Sequence, residues 1–119
     1  MSKLNSHREL TAYQKSYQLC IDIYMATKNF PKEEQFGLKI QMRRAAVSAP
    51  SNIAEGHMRK NRKEYVQFLR IALSSLAELD TQVSLSRDLE FLDKATGERI
   101  MESVVSTSQV LHKLIRSLE

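Results

Sequence analysis

The 119-residue chain has one cysteine, two prolines, three glycines and no tryptophan. A lone Cys20 permits no internal disulfide, so the fold must rest on its core. So few turn residues, with no alternating β-branched runs, argue against sandwiches and barrels and in favour of helices. No window approaches the roughly eighteen consecutive apolar residues that span a membrane. The opening MSKLNSHREL carries no apolar core of a secretory leader. A cytoplasmic chain without a membrane partner is the expectation.

Chemistry is also sparse. No Gly-rich phosphate loop follows a strand pattern. His7, His57 and His112 are scattered, and none sits in the Glu-x-x-His spacing of di-iron bundles. Cys20 lies in an apolar stripe, a poor setting for a nucleophile. Glu55 and Glu78 form at best a carboxylate pair without a nucleophile, histidine or metal motif. We expect no catalytic residues, no metal, no cofactor and no enzyme activity.

What remains is ordinary globular material, with 42% hydrophobic and 27% charged residues and a net charge of +4. Residues 1–10 read as a loose polar arm and residues 11–119 as a single domain. The first helix is predicted over Thr11–Lys28, with Thr11 and Gln14 as a capping box. Its apolar face is Leu10, Tyr13, Tyr17, Cys20, Ile21 and Tyr24. The tyrosines read as core residues with hydroxyls at the rim, in preference to base-stacking platforms. Pro31 ends this helix.

The second helix starts between Glu33 and Gly37 and presents Leu38, Met42, Ala45, Ala46, Ala49 and Ile53. Pro50 interrupts it, but the apolar spacing stays in phase, which predicts a kinked, continuous helix. Gly56 is expected as its left-handed C-terminal cap. The third helix is predicted over Arg62–Asp88, capped by Asn61 with Glu64, with a stripe from Tyr65 through Leu76 to Val83. Asp93 caps the fourth, which carries Ile100, Met101, Val104, Val105, Leu111, Leu114, Ile115 and Leu118. Four helices on short loops predict an all-α, antiparallel up-down-up-down four-helix bundle.

The residues Ala45 to Ala54 carry no charge, and Ile40 and Val47 point off the core face of their helix. Gln41, Arg44, Ser48, Asn52 and Glu55 recur beside that face. On the third helix Ile71, Ser75, Glu78, Gln82 and Leu89 lie together, largely opposite the core stripe. Mixed small, polar and apolar surfaces of this kind suit an interface between copies of the chain. Arg44 reads there as an ion-pair partner in preference to a phosphate ligand. The basic run Arg59, Lys60, Arg62 and Lys63, joined by Lys39, Arg43 and Arg44, is the candidate nucleic-acid surface, and a ring would repeat it. Arg43, Arg59, Lys60, Arg62 and Lys63 are the expected contacts to RNA or DNA. A protein-interaction scaffold with no nucleic-acid binding is the alternative.

Several blocks resemble a known family. They are LTAYQKSYQLCIDIY from Leu10, Phe30-Pro31, Phe36-Gly37-Leu38, QMRRAAVS from Gln41, SNIAEG from Ser51, and the run Ala72–Glu78. They are similar to the bundle proteins encoded by intervening sequences of bacterial large-subunit ribosomal RNA genes. The resemblance implies a homopentameric ring. It also implies an architecture shared with the accessory variability protein of diversity-generating retroelements, a basic pentamer that binds a reverse transcriptase and nucleic acid. Ser74, where the family usually has Gly, and Tyr13, where Trp is common, depart from the pattern.

Overall fold

Apolar residues spaced three and four apart become four α-helices: α1 Thr11–Ala26, α2 Leu38–His57, α3 Arg62–Asp88 and α4 Lys94–Leu118. The computed structural model describes residues 6–119, and no strand occurs among them. Short 3-10 turns at His7–Glu9 and Lys32–Glu34 precede α1 and α2. The expected loose arm falls partly on residues 1–5, outside the described residues; Ser6 to Leu10 form the first turn, with Leu10 packed against the core.

The caps explain where the helices begin. Asn61 accepts the Glu64 amide at 2.8 Å and donates to the Glu64 carboxylate at 2.7 Å, so α3 starts where the sequence places it. Asp93 accepts the Thr96 amide at 2.8 Å and the Thr96 hydroxyl at 2.9 Å. Those bonds, the amide first, hold its carboxyl below the usual carboxylate range. Thr11 is not a cap. Leu10 occupies that position without a side-chain bond, and Gln14 turns back to donate to the Arg8 carbonyl at 3.0 Å. At the other end of α1 the buried Thr27 hydroxyl donates to the Ile23 carbonyl at 2.8 Å and closes the helix before Lys28.

α2 runs unbroken through the buried Pro50. Gly56 is a correction: it lies inside α2, and no glycine among the described residues has positive φ. A Cβ built there would meet Phe68 Cβ at 2.8 Å and the Tyr65 carbonyl oxygen at 3.2 Å. The glycine serves a close crossing of α2 and α3, not a left-handed cap. Among the described residues the one positive φ belongs to Glu90, in the turn between α3 and α4.

Each helix packs on two others: α1 on α2 and α4, and α3 on α2 and α4. The core centres on Leu19, Ile23, Met42, Ile53, Leu69, Leu76, Leu79, Ile100 and Leu111, all essentially inaccessible. Small residues let α2 and α3 approach: Ala45, Ala49, Ala72 and Ser75 are buried, and the Ser75 hydroxyl donates to the Ser48 hydroxyl at 2.7 Å. Ser75 and Gln82 were expected opposite the core stripe, and both are buried instead. Ser74 is exposed, so the departure there touches no close helix contact.

On α1 the face read as core is only partly so: Leu10, Tyr13 and Cys20 are half-buried against the core. Tyr17, Ile21 and Tyr24 are exposed, while Ala12, Ser16, Leu19 and Ile23 face inward. Both sets have helical spacing, and the smaller side chains permit the closer approach. Val105 on α4 is likewise exposed.

The elements gather at two ends of a body 48 × 24 × 20 Å. At one, the His7 ring lies 4.8 Å from Tyr13 and 6.5 Å from His57, which is 5.9 Å from Tyr65. Arg70 pairs there with Glu119. At the other, the Phe30 ring packs tilted against Phe91 with centroids 5.6 Å apart.

Candidate nucleic-acid interface

The turn between α2 and α3 sits at the end that holds His7, His57 and Tyr65. Lys60, Arg62 and Lys63 are exposed there, and none forms an ion pair with another described residue. Arg59 is different. Its guanidinium pairs with Glu55 at 3.0 Å and lies 4.6 Å from the centre of the Phe68 ring. It is a fixed cation with one side still open.

Arg43 does not join them. It lies fourteen residues before His57, the last residue of α2, and so roughly 21 Å from that end of the helix at 1.5 Å per residue. Its Nε donates to Thr27 at 2.9 Å and Nη2 to the Tyr24 carbonyl at 3.1 Å, with the Tyr24 ring 4.5 Å beneath. A cation at the C-terminal turn of α1 completes that helix end. Lys39 and Arg44 are on the same remote part of α2.

The fold adds cations the sequence did not connect. Residues 6–15, 55–70 and 111–119 meet at one end. They contain nine cations, Arg8, Lys15, Arg59, Lys60, Arg62, Lys63, Arg70, Lys113 and Arg116, against the four acids Glu9, Glu55, Glu64 and Glu119. Residues 16–54 and 71–110 contain eight cations and ten acids. The two parts therefore carry +5 and −2, and the chain's positive excess is concentrated at one end of the helices. Such a field attracts polyanions and is screened by salt.

The residues expected at an interface divide. Ser48 and Asn52 serve the chain's own structure: Asn52 donates to the Ser48 hydroxyl at 3.0 Å, which Ser75 also reaches. Glu55 is held by Arg59. Gln41, Arg44 and Glu78 are exposed, and their side chains make no hydrogen bond or ion pair with another described residue. Tyr13, Tyr17, Ile21, Tyr24, Val47 and Pro50 line an apolar groove of about 470 Å³ between α1 and α2. Cys20 borders that groove, and burial pushes its thiol up, so it stays protonated near neutral pH.

No helix among the described residues is long and apolar enough to cross a membrane. No group of three or more His, Cys, Asp or Glu side chains able to hold a metal occurs among them.

No curated protein matches the sequence. In fold, the chain is similar to a crystal structure of a protein of unknown function from the S23 ribosomal protein family of Bacteroides thetaiotaomicron. The TM-score is 0.80 at 22% identity, over 88% of this chain and 98% of that one. The family model for the 23S rRNA-intervening sequence protein matches residues 8–113. With that match over most of its length and the four helices to go with it, the chain belongs to the 23S rRNA-intervening sequence protein family.

Proposed function

We propose that this protein is a non-enzymatic, antiparallel up-down-up-down bundle that assembles with copies of itself and binds RNA or DNA through its basic end. The concentration of charge, +5 against −2 along the helices, carries the nucleic-acid reading. Lys60, Arg62 and Lys63 supply phosphate contacts, with Arg8, Lys113 and Arg116 beside them and Arg59 fixed in place. Recognition through phosphates gives salt-sensitive, weakly selective affinity. The ring contacts His7–His57–Tyr65 at one end and Phe30–Phe91 at the other support the antiparallel arrangement.

Assembly rests on the groove between α1 and α2 and on the exposed Ile40, Gln41, Arg44 and Glu78. Tyr17 at 50%, Ile21 at 43% and Val47 at 42% exposure form a contiguous apolar surface of the kind copies cover. A homopentameric ring would set five basic ends side by side. Light scattering at micromolar concentration tests assembly, and a monomer mass would remove it.

The binding test is the triple variant Lys60→Glu, Arg62→Glu, Lys63→Glu, titrated with a structured RNA hairpin at several salt concentrations. Affinity is expected to fall at least tenfold at about 0.1 M salt, and the slope of log K against log salt to flatten by about 2. Unchanged affinity and slope would refute the reading. Purified wild-type protein with no bound nucleic acid, shown by an ordinary 260/280 nm ratio, and no affinity for the hairpin would favour a protein scaffold.

A further inference from the structure

The basic end contains one feature that phosphate binding does not explain. Between the His7 turn and the last turns of α2 lies an open depression of about 510 Å³ lined by His7, Ser51, Ala54, Glu55, Met58 and Arg59. Its charged acceptor is the Glu55 carboxylate. One oxygen of that group takes the Arg59 Nη2 at 3.0 Å; the other has no hydrogen bond from a described residue, and the side chain is 56% exposed. Arg59 is in turn held by the Phe68 ring, so the carboxylate is aimed as well as charged. A phosphate entering this depression meets a negative group. A flat heterocycle with N–H donors on its edge meets an acceptor, an imidazole ring at His7 and the side chain of Met58, a residue that is 75% exposed.

We infer that this depression takes an unpaired guanine base, with Glu55 accepting from its Watson–Crick edge. The inference rests on the proposed nucleic-acid reading of the same end and names what is recognised there. An ionised carboxylate only accepts hydrogen bonds. Guanine alone presents two adjacent donors, N1–H and the 2-amino group, on that edge. Adenine and cytosine present an amino group beside a ring nitrogen lone pair, and uracil one N–H between two carbonyls. Inside a duplex the edge is occupied by cytosine, so only a looped or single-stranded guanine can use the site. Lys60, Arg62 and Lys63 lie on the following turn and hold the flanking phosphates, while the base gives selectivity.

The experiment is fluorescence anisotropy with labelled twelve-nucleotide RNAs: all-uridine, the same strand with one central guanosine, one with central adenosine, and the guanosine strand annealed to a complement pairing that base. The guanosine strand is expected to bind at least fivefold tighter than the all-uridine and adenosine strands, and pairing the base is expected to abolish that advantage. Glu55→Gln should reduce the guanosine preference to under twofold while leaving or raising affinity for the all-uridine strand. Its exposed position keeps the fold intact, which circular dichroism checks. Met58→Ala should weaken the guanosine strand more than the others. If all single strands bind within twofold of each other, the guanine site is wrong and the basic-end reading stands. If no strand binds, both fall. A preference that survives Glu55→Gln also overturns the assignment.

Discussion

Replacing Gly56 with alanine sets two effects of known size against each other. In the interior of a helix, alanine is favoured over glycine by about 1 kcal/mol. At this position the new methyl would stand 2.8 Å from Phe68 Cβ, 3.1 Å from Tyr65 Cδ1 and 3.2 Å from the Tyr65 carbonyl oxygen. Two of those atoms are backbone or attached directly to it, so a rotamer change cannot clear them. α3 must move away, and the Ala49, Ile53, Leu69 and Ala72 packing goes with it. Overpacking of this kind costs about 1–3 kcal/mol. The expected net result is a loss of about 1 kcal/mol, or roughly 4 °C in Tm for a domain of this size. Gly97→Ala is the control. It is also a buried glycine within a helix, but its nearest neighbours are the flexible Arg87 Cγ at 3.4 Å and Cβ at 3.5 Å. Alanine there should stabilise by about 0.5–1 kcal/mol. Paired urea and thermal melts at one protein concentration check both. Gly56→Ala that stabilises as much as Gly97→Ala would refute the close-crossing argument.

Asp93→Asn should keep the α4 cap and remove its titration. The folded-state pKa of Asp93 is depressed, so its contribution is fully present above the ordinary carboxylate pKa and is lost as pH falls through the folded value. Wild type should therefore lose more stability than the variant between about pH 5 and pH 2, measured by urea midpoints across that range. Gln82 is buried with its side-chain oxygen unpartnered among the described residues. Gln82→Met, close in shape, should raise stability by about 1 kcal/mol, seen as a higher urea midpoint at unchanged slope. Leu76→Ala, in the fully buried stripe of α3, should cost about 2–5 kcal/mol by the same assay.

The helices were legible because their signals are local. Asn61 with Glu64 and Asp93 with Thr96 are short-range bonds, and they place the starts of α3 and α4 where the residues suggest. The failures share one cause: they needed a neighbour. Gly56 before a basic loop reads as a cap until Phe68 is seen against it. Tyr17, Ile21 and Tyr24 have the same periodicity as a core face, and only the packing of Ala12 and Ser16 decides which side turns inward. Ser75 reads as an outer polar residue because nothing in the sequence shows that Ser48 lies across the seam.

The candidate site was legible in the same partial way. Lys60, Arg62 and Lys63 stand out as a run, but Arg8, Lys113 and Arg116 become part of the same end only once α1, α3 and α4 are assembled. Arg43, adjacent to Arg44 in an apparent basic cluster, is drawn off to Thr27 and Tyr24 on α1. A modest net charge of +4 is therefore a weak indicator of function by itself, because it averages an end of +5 with a remainder near neutrality. What a polyanion meets is the local field, which decays over about 8–10 Å at physiological salt, much less than the 48 Å length of the molecule. Two chains of equal pI can thus differ in nucleic-acid affinity by the arrangement of their helices alone, and here four helices bring nine cations to one end.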